Sequence, residues 1–210
     1  MKVTVIGAGN MGSAFVKQLT RAGHEVSVTA RDSAKAGALA AANPGAKAVP
    51  TAGAAAGADV VVLATGHADA VGALQGVGEL NGTVVIDITN PLTADYMGLT
   101  LGHNTSAAEE IAKAVPAATV VKGFNTLFAQ VLSEGADFGQ ARKASVFLAS
   151  DSAAAKHKAT ELAQSLGFEV VDAGGLKNAR YLEPLAGLNI YLGYGAGLGT
   201  AIAPTWIRKA

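Results

Sequence analysis

The architecture of the chain follows from residues 3–12, which read VTVIGAGNMG. The first four are β-branched residues in a run of strand length, and G-x-G-x-x-G then leads into an amphipathic segment. In such a strand–turn–helix unit Gly7 makes the tight turn, Gly9 lets a pyrophosphate approach the backbone, and Gly12 lets the helix pack on the strand. The motif predicts a dinucleotide-binding turn. A glycine-rich turn without a ligand is the alternative, because the chain has 26 glycines.

Strand-length apolar runs alternate with helical patterns along the chain, which is typical of a parallel sheet covered by helices on both faces. We therefore predict a Rossmann-type, doubly wound α/β fold with one mostly parallel sheet of about eight strands. The predicted domain covers residues 1–175, and a small C-terminal helical addition over 176–210 packs on it as part of one structural unit. Strands are predicted over 2–6, 25–29, 46–49, 59–64, 83–88, 119–122, 144–149 and 169–172. Helices are predicted over 11–22, 33–42, 52–57, 68–77, 106–115, 126–132, 152–166 and from 178 to the end.

Composition excludes several classes of function. The 210 residues suit one domain, and 16 basic residues balance 16 acidic ones, so we expect no nucleic-acid partner and no anionic membrane surface. Without cysteine, and with four scattered histidines, no metal site is predicted. The N-terminus runs directly into a strand without a signal-peptide pattern, which predicts a cytoplasmic protein. Residues 185–203 carry no charge, but their glycines favour a buried or subunit-contact helical hairpin over a membrane span.

The second strand indicates which dinucleotide is bound. An NAD-binding turn places a carboxylate about 20 residues after the glycines, where it binds the ribose 2′-hydroxyl. Here Ala30 occupies that position and Arg31 follows it. A guanidinium grips a 2′-phosphate well, so NADP is favoured. Two alternatives stay open: Arg31 as a solvated surface charge, and Asp32 as the ligand of the hydroxyl.

One irregular segment, residues 90–104, follows a predicted central strand and contains Pro91, Gly98 and Gly102. It is long for a connection in a compact domain. Ligands of open parallel sheets bind beyond the carboxyl ends of the strands. We therefore expect this segment to frame the active site.

Six segments agree in order and spacing with a known family. They are GAGNMG at 7–12, GHEVSVTAR at 23–31, DITNPL at 87–92, SAAEEIAKAVP at 106–116, VVKGFNT at 120–126 and DAGGLKNARYLEPLAGL at 172–188. Over nearly the whole chain they resemble the coenzyme F420-dependent NADP oxidoreductase family. The resemblance implies a Rossmann-type domain with a small helical addition, and hydride transfer between NADP(H) and a deazaflavin, coenzyme F420.

The resemblance also implies a set of site residues. Those implied for the cofactor are Gly7, Gly9, Asn10, Met11 and Gly12 at the pyrophosphate, Thr29, Ala30 and Arg31 at the 2′-phosphate, and Ala64, Thr65, His67, Asn90, Pro91 and Leu92 near the nicotinamide ribose. Those implied for the acceptor wall are Phe124, Asn125 and Thr126, with Gly195 and Gly197.

The chain departs from the family pattern on the acceptor side. It has Gly66 and His67 where members often have a proline and an aromatic residue, and Asn125 where some archaeal members have a histidine. Hydride transfer between two flat rings needs proximity and exclusion of water more than a strong acid. We therefore leave the catalytic side chain unassigned. His67 and Asn125 are the candidates for such a role.

Other functions remain open at this point. A small Rossmann reductase acting on an imine, a hydroxyacid, a flavin or a quinone would share the glycine turn, and so would a dinucleotide-binding sensor without turnover. Residues 178–207 are apolar and poor in charge, and they offer more apolar surface than one sheet edge can bury. This surplus predicts a homodimer.

Overall fold

The computed structural model describes residues 1–207 and 209. Its strands are short and rich in valine, and the central ones are buried along their whole length, as expected where helices cover both faces of a sheet. The strands are β1 (Lys2–Ile6), β2 (Glu25–Thr29), β3 (Ala46–Ala48), β4 (Val60–Leu63), β5 (Val84–Asp87), β6 (Thr119–Lys122), β7 (Ser145–Leu148) and β8 (Glu169–Asp172).

Seven α-helices fall between and after the strands within the described residues. Serine hydroxyls cap two of them: Ser106 accepts from the Glu109 N–H, and Ser152 accepts from the Ala155 N–H. The last helix continues as a π-helical turn over Tyr191–Gly195. The helices are α1 (Asn10–Arg21), α2 (Ser33–Ala41), α3 (His67–Gly76), α4 (Ala107–Ala114), α5 (Ala129–Glu134), α6 (Ala153–Ser165) and α7 (Ala179–Ile190).

Six strands form a parallel sheet in the order β3-β2-β1-β4-β5-β6. Val5 of β1 pairs with Val28 of β2 on one side and with Val62 of β4 on the other. The direction of winding therefore reverses between β1 and β4. In open α/β sheets ligands bind in the crevice beyond the strand ends at this reversal. The topology confirms the predicted Rossmann-type class.

Residues of β4 alternate between two apolar layers. Val60 and Val62 pack in the layer that contains Phe15 of α1, whereas Val61 and Leu63 pack in the layer that contains Ile111 of α4. Successive side chains of a strand point to opposite faces, so both faces of the sheet are covered. This burial fixes the register of β1 and β4, and with it the position of the turn that follows β1.

The prediction of about eight strands in one sheet needs correction. β7 and β8 form a separate parallel pair. A single antiparallel bridge between Lys122 and Ala149 joins this pair to the main sheet. The strands β6 and β7 run in opposite directions and meet only there, so the pairing does not extend into a ladder.

One predicted helix is wrong, and the predicted C-terminal helix is too long. Residues 52–57 form successive turns, in which Gly53 and Gly57 have φ of +80° and +70°. After residue 195 the described chain is not helical, because Gly197 and Gly199 adopt φ of +75° and +78°. Residues 208 and 210 of the predicted C-terminal helix lie outside the described residues.

The C-terminal segment returns onto the small sheet instead of forming a helical hairpin. The Thr205 hydroxyl lies 3.1 Å from the Ser145 hydroxyl, and the Trp206 ring packs edge-on against Phe147. Among the described residues, no helix has both the length and the apolar character needed to cross a membrane. The division of the chain near residue 175 stays a proposal.

Candidate functional site

The turn after β1 has the geometry that its three glycines predict. Gly7 adopts a φ of +119°, and a Cβ there would collide with the Ala64 carbonyl oxygen. A Cβ on Gly12 would collide with the Gly7 carbonyl oxygen, so the helix packs directly on the turn. Gly9 is different, since a Cβ there would have nothing within 4 Å. No side chain caps α1 at Gly9, so the N–H groups of its first turn face outward without a partner in the helix.

A crevice of about 560 Å³, the glycine crevice, opens in front of this turn. Its walls are the turn itself, the end of β2, and the connection from β4 into α3. Thr29 lies at its floor, where its hydroxyl is 2.9 Å from the Thr51 hydroxyl. Of the residues implied for the cofactor, the crevice is lined by Gly7, Gly9, Thr29, Ala30, Arg31, Ala64 and Thr65.

Four charged side chains line the glycine crevice. The Arg31 guanidinium is 87% exposed and pairs at 3.2 Å with Asp69 of α3. Asp32 is engaged elsewhere, because its Oδ1 accepts the Ala34 and Lys35 N–H groups at 3.0 and 3.2 Å and caps α2. The carboxylate that the alternative interpretation assigned to a ribose hydroxyl therefore has a structural role. Lys35 supplies a second cation, which the motif alone did not single out.

A second cavity, the amide pocket of about 230 Å³, lies at the start of α1. Ile88, Leu127 and Ile190 contribute apolar surface, and the exposed Tyr96 and Tyr194 line its edge from the 90–104 segment and the π-helical turn. Besides the two tyrosines, its polar lining residues are four asparagines and a threonine, namely Asn10, Asn90, Asn125, Asn189 and Thr126. Among the described residues, no acidic residue, lysine, arginine or histidine lines it.

Reciprocal amide bonds hold the floor of the amide pocket. The Asn90 side chain donates to the Asn125 carbonyl oxygen at 2.9 Å, and Asn125 Nδ2 donates to Asn90 Oδ1 at 3.0 Å. Asn125 Nδ2 also donates to the Leu182 carbonyl oxygen, and Asn189 Nδ2 donates to that of Thr126. The segment after β5, the segment after β6 and α7 are thereby tied together. Sequence reasoning missed Asn189 and both tyrosines, because only the tertiary fold brings α7 to this pocket.

Phe124 does not line the amide pocket, contrary to the expectation. Its side chain is fully buried, with its ring centroid 5.0 Å from that of Phe15 and 6.0 Å from that of Phe168. The residue adopts a left-handed φ of +59°. Such a conformation costs about 1–2 kcal/mol in a non-glycine residue, and burial of a phenylalanine ring contributes a similar amount in compensation. The buried ring anchors a sharp turn that presents the next two residues to the pocket.

Several other expected residues lie outside both cavities. Pro91 is buried, and Leu92 forms an antiparallel bridge with Leu99, so both shape the 90–104 segment. Gly195 packs beside the Tyr191 ring, and Gly197 lies in the turn beyond it. Asn10 and Met11, expected at the pyrophosphate, both line the amide pocket and form the start of α1.

His67, a candidate for catalysis, opens α3 and lines neither cavity. Its Nδ1 is buried without a hydrogen-bond partner. The other candidate, Asn125, lies in the amide pocket with both Nδ2 hydrogens directed to protein acceptors. The geometry brings Asn125 together with Asn90 and Thr126 and leaves His67 apart from them.

A buried ion network lies beneath the amide pocket. The Lys122 ammonium is fully buried and lies 2.9 Å from both Asp87 Oδ2 and Glu183 Oε1. Asp87 Oδ1 accepts the Thr89 N–H, and the Glu183 carboxylate accepts the first N–H groups of α4. Buried charges need such full pairing. The network ties the ends of β5 and β6 to α7, and thereby fixes the walls of the pocket.

A second ion pair holds α7 against α4 closer to the surface. Arg180 donates two hydrogen bonds to Glu109, at 2.8 and 2.7 Å. The Arg180 hydrogen bond lowers the pKa of Glu109 below its ordinary value, and partial burial opposes this effect less strongly. The same pairing raises the pKa of Arg180.

A parallel sheet with a glycine turn at its winding reversal, a crevice in front of that turn and an adjoining pocket define the class of Rossmann-type dinucleotide-binding proteins. Comparison with known proteins gives the family. Residues 2–91 match the family described as NADP oxidoreductase, coenzyme F420-dependent. The F420-dependent NADP reductase of Methanothermobacter marburgensis is 31% identical over 211 residues, which cover 91% of this chain and 92% of that one. The chain therefore belongs to the family of F420-dependent NADP reductases, which are oxidoreductases.

Solved structures agree with this membership. The crystal structure of a candidate F420-dependent NADP-reductase from Arthrobacter sp. FB24 superposes with a TM-score of 0.86 at 32% identity, and covers 99% of this chain and 100% of that one. An imine reductase from Bacillus cereus has a TM-score of 0.68 at 23% identity, covering 93% of this chain and 62% of that one, and shares the fold alone.

About half of the chain is also similar to larger proteins. Rat metalloreductase STEAP3 is 36% identical over 107 residues, which cover 51% of this chain. The chain spans about a fifth of the length of the curated metalloreductases that it matches.

Proposed function

We propose that this protein transfers a hydride between NADP(H) and a deazaflavin of the F420 type. The observation that carries the proposal is the pairing of two cavities at the start of α1, one with phosphate-binding features and one lined by amides, apolar groups and aromatic rings. Membership of the F420-dependent NADP reductase family supports the assignment of both partners.

The glycine crevice fits a dinucleotide carrying a 2′-phosphate. Open space in front of Gly9 admits a pyrophosphate to the unpaired N–H groups of α1. Arg31 and Lys35 lie at the end of β2 and the start of α2, where the adenosine ribose of a Rossmann ligand is bound. Asp32 lines the same crevice, but its Oδ1 is held as the cap of α2 by the Ala34 and Lys35 N–H groups. This arrangement favours NADP over NAD.

The nicotinamide ring supplies the hydride when NADPH is bound. The chain contributes shape and exclusion of water rather than an ionised acid, because the described lining of the amide pocket is neutral. Asn90 and Asn125, locked by their reciprocal hydrogen bonds, hold the pocket floor rigid. Tyr96 and Tyr194 cover it from two segments of the chain. Such preorganised proximity is the main requirement for hydride transfer between flat rings.

We also propose that the protein acts in the cytoplasm as a homodimer. Tyr181 and Leu188 of α7 and Tyr191 at the start of the π-helical turn are each more than half exposed, and their spacing places them on one side of the helix. An apolar stripe of this kind is suited to a symmetric contact between two copies. Light scattering at micromolar concentration is expected to give twice the chain mass, and a monomer mass contradicts the proposal.

The function is tested by following nicotinamide absorbance with purified protein and F420, FMN and a quinone as separate acceptors. We expect NADPH oxidation with F420 at a rate at least about tenfold above the rates with the other two acceptors and with NADH as donor. Tight NADPH binding without oxidation by any acceptor would identify a sensor instead. Equal rates with all acceptors would contradict deazaflavin recognition.

A further inference from the structure

A groove follows one side of α1 away from the amide pocket. Its first part is a cavity of about 590 Å³ that shares Asn10, Phe128, Ala129 and Tyr194 with the amide pocket. Its second part has a volume of about 420 Å³ and shares three lining residues with the first: Lys17, and Ala42 and Asn43 just after α2. Neither part shares a lining residue with the glycine crevice. We call these two cavities the α1 groove.

The polar lining of the α1 groove consists of neutral and positively charged groups. Asn10, Ser13, Lys17 and Arg21 recur along α1 at helical spacing, so they lie on one side of the helix. Asn43 and other amide and hydroxyl groups face them. Among the described residues, no carboxylate lines either part. The groove therefore presents a positive potential to a ligand that enters from the amide pocket.

The two cations of the groove are free to bind a ligand. Lys17 donates to the Ser133 hydroxyl at 3.0 Å, which leaves other ammonium hydrogens available. Within the part of the chain that the structure describes, neither Lys17 nor Arg21 lies within 4.0 Å of a carboxylate. Most other cations near the site, including Arg31, Lys122 and Arg180, are paired.

The amide pocket is small for a site that binds a whole hydride acceptor. At about 230 Å³ it is smaller than the roughly 300–1,000 Å³ typical of small-molecule sites. A ring seated there leaves any attached arm to extend outward, and the continuous path past Asn10 and Tyr194 leads into the α1 groove.

We propose that the α1 groove binds an anionic arm attached to the hydride acceptor, with its phosphate or carboxylate groups at Lys17 and Arg21. The inference rests on the proposed function and adds to it the chemistry of the acceptor beyond its ring. Because Lys17 and Arg21 contact the arm, an acceptor that carries the anionic arm should bind more tightly than the same ring without it.

The test compares two deazaflavins, F420 with its phosphate and glutamate arm and the same ring system without phosphate or glutamate. Dissociation constants of the oxidised forms are measured by fluorescence titration without NADPH, and KM values are measured with it. We expect Lys17→Gln and Arg21→Gln each to weaken F420 binding about fivefold, and the double variant about 20-fold. Affinity for the armless ring and for NADPH is expected to stay within about twofold.

Lys113→Gln is the matched control, because Lys113 is an exposed lysine near the end of α4 that lines neither part of the groove. Salt is a second readout, since added salt should weaken F420 binding and leave the armless ring nearly unaffected. Equal affinity of the wild type for both deazaflavins, or equal losses for both in the variants, overturns the inference and leaves the hydride-transfer proposal intact. Failure of both deazaflavins to bind or oxidise NADPH overturns the proposed function together with the inference.

Discussion

Arg31 and Asp69 form an ion pair across the mouth of the glycine crevice, with 3.2 Å between Nη1 and Oδ1. The Arg31 side chain is 87% exposed and that of Asp69 is 49% exposed. An exposed, single-contact pair of this kind stabilises a protein by at most about 1 kcal/mol. A phosphate ester binds a guanidinium more strongly through two parallel hydrogen bonds. Asp69 therefore holds Arg31 near the crevice without preventing its transfer to a ligand.

Replacement of Arg31 by alanine should distinguish the two dinucleotides. Loss of a charge-assisted bond to the 2′-phosphate is expected to weaken NADPH binding about 10- to 100-fold and to change NADH binding less than about twofold. Calorimetric titration with both dinucleotides measures this. The exposed Arg142→Ala is the control, because Arg142 lines neither the glycine crevice nor the amide pocket. Equal losses for NADPH and NADH would remove the assignment of Arg31 to the 2′-phosphate.

Alanine at Gly9 and at Gly12 should produce different defects. At Gly9 the backbone φ is −83° and a Cβ enters open space, so the variant should fold with nearly unchanged thermal stability and lose dinucleotide binding. At Gly12 the Cβ meets the Gly7 carbonyl oxygen, so unfolding temperature should fall by several degrees. Thermal unfolding and NADPH titration of both variants check the pair. Normal NADPH affinity in Gly9→Ala would contradict a pyrophosphate at this turn.

The buried network around Lys122 should be costly to break. Lys122→Met leaves the carboxylates of Asp87 and Glu183 buried without a cation, which is expected to reduce the free energy of unfolding by about 3–5 kcal/mol. Urea unfolding of this variant and of the exposed Lys113→Met measures the difference. A loss below about 1 kcal/mol would show that the network is not a principal link between the strands and α7.

Acid should weaken the contact between α7 and α4. Because folding lowers the pKa of Glu109, its pairing with Arg180 stabilises the protein above the ordinary glutamate value of 4.5, and this stability is lost as the pH falls through the folded-state pKa. Glu109→Gln should be less stable than the wild type at neutral pH, and the difference should shrink in acid. Urea midpoints at about pH 7 and about pH 3.5 measure it, with the exposed Glu79→Gln as control. A difference that is constant with pH would contradict the pairing.

Much of the main sheet was predictable from the sequence because most of its strands are rich in β-branched residues. The strands 2–6, 25–29 and 119–122 have the predicted limits. The glycine turn was equally predictable, since each glycine meets a local steric requirement. The C-terminal helix was predicted too long, because its periodicity continues into glycines whose positive φ ends it.

The amide pocket was only partly predictable. Asn90, Asn125 and Thr126 follow strand ends and so could be expected together. Phe124 appeared equivalent to them in sequence, but its left-handed backbone turns the ring into the core. Lys122 and Glu183 are 61 positions apart in the chain, and only tertiary packing brings them within 2.9 Å. No local sequence pattern predicts such an ion pair.

The most direct test of hydride transfer is a single-turnover reaction with NADPH that carries deuterium at C4 in one of its two stereochemical positions. Mass spectrometry of the reduced F420 then shows where the label has gone, because the C5–H bond of a reduced deazaflavin does not exchange with water. We predict full transfer of deuterium to C5 from one stereoisomer and none from the other. Reduced F420 without deuterium from either stereoisomer would contradict direct transfer between rings held in the adjoining cavities.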